Sequence, residues 1–298
     1  MKMKYFITSS FVILLSYVMF IHPFEVPDEN AHYSSLNFLY NEGRMPKMTD
    51  SNNLSLEELE TEKIFGIVEH NNKYSYHPEF RMEYAAGTLG LYEDKIKSFN
   101  TEQNRTNYNT YQAATYPPLY YWLTLPFYSV VRNSDILMRL FVSRLSSVVV
   151  TTVLVLVAYL IGKLIFGNKK YGITIALMTL FFPMTTYIGA GVNSDNLHNL
   201  LFGIATLLAL QLIKGGWSRN LSLLIGSVIG FDLITKPQGY ILIPIFAVAV
   251  LVRWRWDEWR LWIRNLSLLL LPILLIAGWQ ELPKLILGNS AVGVTSYT

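Results

Sequence analysis

Apolar residues in this chain fall in long unbroken blocks, not at the two- or 3.6-residue spacing of a half-buried soluble element. The blocks are Tyr5–His22, Arg139–Ile165, Gly172–Ala190, Leu197–Ile213, Leu221–Lys236, Tyr240–Val252 and Arg264–Glu281. A bilayer core takes about 20 apolar residues per helix, so the pattern predicts about seven transmembrane helices. The runs at 221–236 and 240–252 are short. "KPQG" between them reads either as a tight turn or as the join of a helix pair that does not fully cross. The first run has Lys2 and Lys4 ahead of it, as a signal peptide would, but no small-residue cleavage site follows, and it reads as a retained anchor. No internal repeat is visible. The expectation is an all-α membrane protein, a single polytopic membrane domain over residues 1–298.

Composition agrees with the blocks. Of 298 residues, 52% are hydrophobic and only 15% charged, too apolar for an ordinary soluble domain. There is no cysteine, which excludes disulfides, thiolate catalysis and cysteine metal sites. The net charge of +3 hides an asymmetry: residues 23–134 carry 15 Asp/Glu against nine Lys/Arg, and the remainder six against 15. If the seven runs alternate, Lys2/Lys4, Lys169/Lys170, Lys214/Arg219 and the Arg253–Arg264 cluster share one side. The positive-inside rule makes that side, and the N-terminus, cytoplasmic. "RWRWDEWRLWIR" at 253–264 reads as a tryptophan-rich interfacial anchor there.

The 23–134 loop then faces outwards and is far longer than a connector. "VPDENAHYSSLNFLYNEG" predicts a helix with acidic residues at its start and Gly43 at its stop. "SNNLSLEEL" predicts a second helix capped by Ser55, with Glu58 at the capping-box spacing. "TYPPLYYWLTLPFYSVV" is apolar and aromatic but too short and proline-rich to span, which predicts an interfacial or re-entrant helix. Tyr116 and Tyr121 on it would form a floor for a lipid-linked substrate. His77, Tyr74 and Tyr76 fit ordinary loop packing.

Three polar clusters stand at the outer ends of the spans. Asp28 and His32 are i, i+4 on the first loop helix, with Glu29 about 100° away; capping and solvation compete with a catalytic role for them. "NSDNLH" puts Asp195 and His198 on one face behind Asn193 and Ser194, for which helix capping is the competing reading. Together Asp28, His32, Asp195 and His198 have the ligand types of a divalent metal site for Mg, Mn or Zn. "GFDLITKPQGY" places Asp232 and Lys236 at i, i+4, either as a local ion pair or as a lysine presented to a lipid phosphate. Arg139 and Arg144 invite the phosphate role more weakly than plain snorkelling. No GxGxxG, P-loop, GxSxG or HExxH is present, which argues against a nucleotide as direct substrate.

"PDENAH" after the first span, "YPPLYYWL" later in the loop and "VNSDNLHNLLF" in their order resemble the GT-C glycosyltransferase superfamily, nearest to bacterial members with a PDExxH motif. That resemblance implies a GT-C-like fold with interfacial helices in a long first extracytoplasmic loop. It implies inverting transfer of a sugar from a polyprenyl-phosphate carrier to a glycan, lipid or protein acceptor, with no nucleic-acid partner. In that scheme Asp28 is the general base and Glu29 the fallback. Lys236, His32, Tyr116, Tyr121, Asn193, Asp195 and Arg144 would hold substrate or phosphate. Members of the superfamily usually have more spans and often a further C-terminal domain, so the resemblance also implies either a minimal member or a part missing beyond residue 298. The competing readings are a transporter or flippase of a lipid-linked sugar and a non-catalytic membrane assembly subunit.

Overall fold

A computed structural model describes residues 3–47, 50, 54–65, 87–99, 105–106, 116–254 and 256–286; His77, Tyr74 and Tyr76 lie outside them. The described chain is helical apart from one antiparallel pair of two-residue strands, β1 (Leu54–Ser55) and β2 (Arg105–Thr106). The helices are α1 (Met3–Phe20), α2 (Glu29–Glu42), α3 (Leu56–Ile64), α4 (Thr88–Lys97), α5 (Leu119–Val130) and α6 (Ile136–Phe166). They continue with α7 (Lys169–Leu180), α8 (Pro183–Gly189), α9 (Asp195–Gly215), α10 (Arg219–Leu233), α11 (Leu242–Arg253) and α12 (Trp259–Ile286).

Three of these stretches are long and apolar enough to cross a membrane: α6, α9 and 256–282 within α12 and the turn before it. α7 and α8 make a fourth if their pair, bent by 64°, is one span. The count of seven is therefore not reached by length and composition. α1 and the 237–253 stretch are shorter apolar helices. α10 has only 15 residues; at about 1.5 Å per residue it covers roughly 22 Å of a ~30 Å core. The bend in the third run follows from Pro183, whose ring cannot continue the preceding helix.

Helix starts and stops follow the local chemistry. Gly43 takes the left-handed conformation at φ 67° and its N–H donates to the Leu39 carbonyl, ending α2 where the sequence predicts. Ser55 Oγ accepts from Glu58 N–H and opens α3. α5 carries Pro126 and is only 12 residues long. It buries Tyr120, Tyr121, Thr124 and Tyr128 and leaves Trp122, Leu123 and Val130 exposed, the two-faced form expected of an interfacial helix. In the 253–264 segment a short 3-10 turn at Trp256–Glu258 leads into α12, with Trp256 and Trp259 exposed.

Close helix contacts use small residues. Gly226 and Gly230 on α10, four apart, let α12 approach; a Cβ on either meets the α12 backbone or Ile276. Contacts between ends show that the helices alternate in direction. At one end Arg144 near the start of α6 meets the last turn of α1, Lys236 after α10 meets Asp195 at the start of α9, and Tyr240 meets Glu281 late in α12. At the other end Lys214 donates to the Leu164 and Ile165 carbonyls, and Trp217 packs on Trp262. Lys169, Lys170 and Arg219 flank the turns of that second end, as alternation requires.

Candidate functional site

The first of the two ends gathers the polar residues singled out from the sequence. α2 begins at Glu29, so Asp28 is the cap residue and not part of the helix. Asp28 has a left-handed backbone, φ 59° and ψ 6°, and its side chain makes no cap bond to α2. Left-handed geometry is tolerated by Asp and Asn and costs other L residues about 1–2 kcal/mol. The turn before it is fixed from outside: Asn193 Nδ2 donates to the Pro27 carbonyl at 2.8 Å. A Cβ on Gly191 would lie 2.6 Å from the Val26 side chain, so the α8–α9 turn can close on the Asp28 turn only with glycine there.

Glu29 is fully buried and closed. Its Oε1 accepts from Arg144 Nε at 2.7 Å and from Val192 N–H at 2.9 Å, and its Oε2 from Arg144 Nη2 at 2.6 Å. Arg144 also donates to the Val18, Ile21 and His22 carbonyls at 3.4, 2.8 and 2.7 Å. These carbonyls terminate α1, so the guanidinium caps that helix while it pairs with Glu29. All five N–H groups are engaged. Arg144 has none left for a phosphate, and Glu29, saturated and sealed, has no accessible oxygen for a fallback base. The snorkelling expectation also fails for both arginines, because buried carboxylates reach them: Arg139 forms a buried ion pair with Glu57 and donates to the Tyr128 hydroxyl at 2.9 Å.

His32, 1% exposed, lies in an aromatic setting. Its Nδ1 is 2.8 Å from the Tyr121 hydroxyl and its ring stacks on Tyr116 at 5.2 Å. Tyr121 is itself buried and positions His32, whereas Tyr116 is part-exposed and lies under Lys236, whose Nζ is 5.5 Å from the Tyr116 ring centre. Lys236 Nζ pairs with Asp195, and the Asp28 carboxylate acts on it electrostatically. Asp28, Asp195, Lys236 and Tyr116 thus converge. Leu119 N–H donates to the Ile234 carbonyl at 3.0 Å, which ties the start of α5 to the lysine turn.

The α9 start departs from the capping expectation for Ser194: its hydroxyl has no partner among the described residues, and Asn193 Oδ1 accepts the Asp195 N–H instead. The i, i+4 pairing of Asp232 with Lys236 is also replaced. Asp232, 0% exposed, bonds His198 Nδ1 at 2.8 Å, and Lys236 crosses to Asp195. The four candidate metal ligands divide accordingly: His32 joins the tyrosines, His198 joins Asp232, and Asp28 and Asp195 flank the lysine. Among the described residues no three His, Asp or Glu side chains form a group suited to a metal ion. One contributor, Tyr120, and one pairing, Asp232 with His198, escaped the sequence reading. Tyr120 accepts the Asn193 N–H at 2.8 Å and meets Ser147 at 2.9 Å. Asp232 serves His198. Periodicity carries no signal for either, since both partners are remote in sequence.

No curated protein and no solved structure matches this chain. Residues 11–292 match the family described as "Predicted membrane protein (DUF2142)". With several apolar helices and a polar cluster closing one end of them, the chain is an integral membrane protein that belongs to the DUF2142 family.

Proposed function

We propose that the protein is a membrane glycosyltransferase that moves a sugar from a polyprenyl-phosphate carrier to an acceptor with inversion. The observation that carries this reading is Lys236 set over the Tyr116 ring, paired with Asp195 and within the electrostatic reach of Asp28, next to α5 with its exposed apolar face. A cation on an aromatic floor at a helix-bundle end suits a lipid phosphate, with the chain along apolar surface and the charge at Lys236. The departing phosphate is a weak base and needs charge stabilisation more than a proton, which Lys236 supplies once the phosphate competes with Asp195 for it. Asp28, whose carboxylate acts electrostatically on that lysine, is assigned to take the proton of an incoming hydroxyl. The basic turns lie at the opposite end, so the positive-inside rule makes the site extracytoplasmic.

Asp28→Asn is the decisive variant, because asparagine accepts the left-handed backbone and keeps the fold. In membranes carrying the full chain and radiolabelled polyprenyl-phosphate sugar, transfer should drop by roughly 10²–10⁴. Unchanged transfer with a well-folded variant rejects Asp28 as the base. A transporter of the same lipid-linked sugar is favoured by one feature, the break between α10 and α11 that carries Lys236, with Asp232 in the last turn of α10 before it. Movement of intact lipid-linked sugar across proteoliposomes without cleavage selects that reading.

A further inference from the structure

Between α9 and α10 the charged side chains form two rungs of opposite polarity. In the rung at the helix ends the acid, Asp195, is on α9 and the base, Lys236, just follows α10. One turn further in, the base, His198, is on α9 and the acid, Asp232, on α10. The i, i+3 spacing of Asp195 and His198 and the i, i+4 spacing of Asp232 and Lys236 set the rungs roughly 5–6 Å apart.

The inner rung is unfinished on both sides. Asp232 Oδ1 is 2.8 Å from His198 Nδ1, but Oδ2 has no hydrogen-bond partner among the described residues. His198 Nε2 likewise has no hydrogen-bond partner among the described residues, and the His198 side chain is 14% exposed where Asp232 is closed. The acid is held by its backbone. Thr235 and Lys236 N–H groups both donate to the Asp232 carbonyl at 2.9 Å, and a Cβ on Gly239 would lie 2.8 Å from its carbonyl carbon. A carboxylate that accepts a hydrogen bond from Nδ1–H fixes the ring orientation and turns Nε2 into the working nitrogen. A merely structural pair, such as Glu29 with Arg144, leaves no such edge.

We infer that His198 is a second recognition group for the phosphoryl oxygens at Lys236, with Asp232 as its positioning residue. This rests on the lipid-phosphate reading above. The imidazolium gives Nδ1–H to Asp232 and Nε2–H to a phosphoryl oxygen. During transfer the anomeric C–O bond to phosphate breaks and its electron pair goes to the phosphate oxygen. The acceptor oxygen forms the new bond and its proton goes to Asp28. His198 and Lys236 stabilise the released charge by hydrogen bonds, with no net proton transfer from either. The charged groups around His198 are Asp195 on its own helix, Asp232 on α10, Lys236 in the turn and, beyond the lysine, Asp28.

The test uses the full chain labelled with ¹⁵N-histidine in lipid nanodiscs, titrated with a short-chain polyprenyl phosphate and separately with inorganic phosphate. The chain has five histidines, and His198→Gln identifies the resonance. The lipid phosphate should shift the His198 Nε2 signal saturably, and His198→Gln should weaken its binding, followed by ³¹P NMR, by about tenfold. Asp232→Asn should weaken it less, with a changed Nδ1 signal. A response to inorganic phosphate of equal strength keeps the inference and assigns a free phosphate as ligand. If the lipid phosphate binds wild type and His198→Gln alike without moving His198, the inference falls and the lipid-phosphate reading stands. If wild type binds neither phosphate, both fall.

Discussion

The Glu29–Arg144 pair and the Asp195–Lys236 pair stand at the same end of the bundle and differ in what they leave unused. Arg144 and Glu29 side chains are 4% and 0% exposed, and every guanidinium N–H has an acceptor. Lys236 and Asp195 are 12% and 29% exposed, with one carboxylate oxygen holding the ammonium. The first pair joins α1, α2, α6 and the α8–α9 turn, and its geometry admits no competitor. The second joins two helix ends that an anion can re-pair. The closed pair therefore reads as structural, and the open pair is the one the proposed function uses.

Breaking the closed pair has the largest expected effect. Glu29→Ala leaves a buried guanidinium uncompensated and should cost about 3–5 kcal/mol, read as loss of the folded monomer in detergent thermal unfolding. A wild-type melting curve would place this pair with the replaceable ones. Next, Asp28→Val forces a β-branched residue into the left-handed region and should lose about 1–2 kcal/mol more than Asp28→Asn. Equal melting of the two variants would show the turn rearranges. Lys236→Met should cost only about 1 kcal/mol, since its partner carboxylate stays part-exposed, while lipid-phosphate binding is abolished. That split between stability and binding is what separates the open pair from the closed one.

The smallest effect is at a surface pair. The Arg44 fork, 2.9 Å from each Asp50 oxygen, holds that carboxyl down at about 2, with help from the Lys47 N–H. A carboxyl lowered by folding adds stability above its unfolded value of about 3.9, and that contribution is lost as pH falls through about 2. An NMR titration should give Asp50 this low midpoint in wild type and an ordinary one in Arg44→Ala. No change in the variant would mean the fork contributes nothing.

The sequence by itself determined the helical membrane class, the sorting of basic turns to one end, the stop of α2 at Gly43, the start of α3 at Ser55, and the surface character of α5. These depend on apolar run length, charge position and capping residues, all local. It also named Asp28, Asp195 and Lys236 as one group, because alternation puts span ends of one polarity together. Tertiary structure alone decided the partners. Asp232 and Lys236 at i, i+4 satisfied a local pairing rule, yet each found a better partner across the helix interface, Asp232 with His198 and Lys236 with Asp195. Arg144 passed for a snorkelling side chain until the ends of α1 and α2 closed around it. The number of crossings also went beyond the sequence, because a hydropathy run does not show where Pro183 bends it or where a 15-residue helix stops. Hydrogen-bond saturation is a property of atoms brought together from remote positions, and no local pattern encodes it.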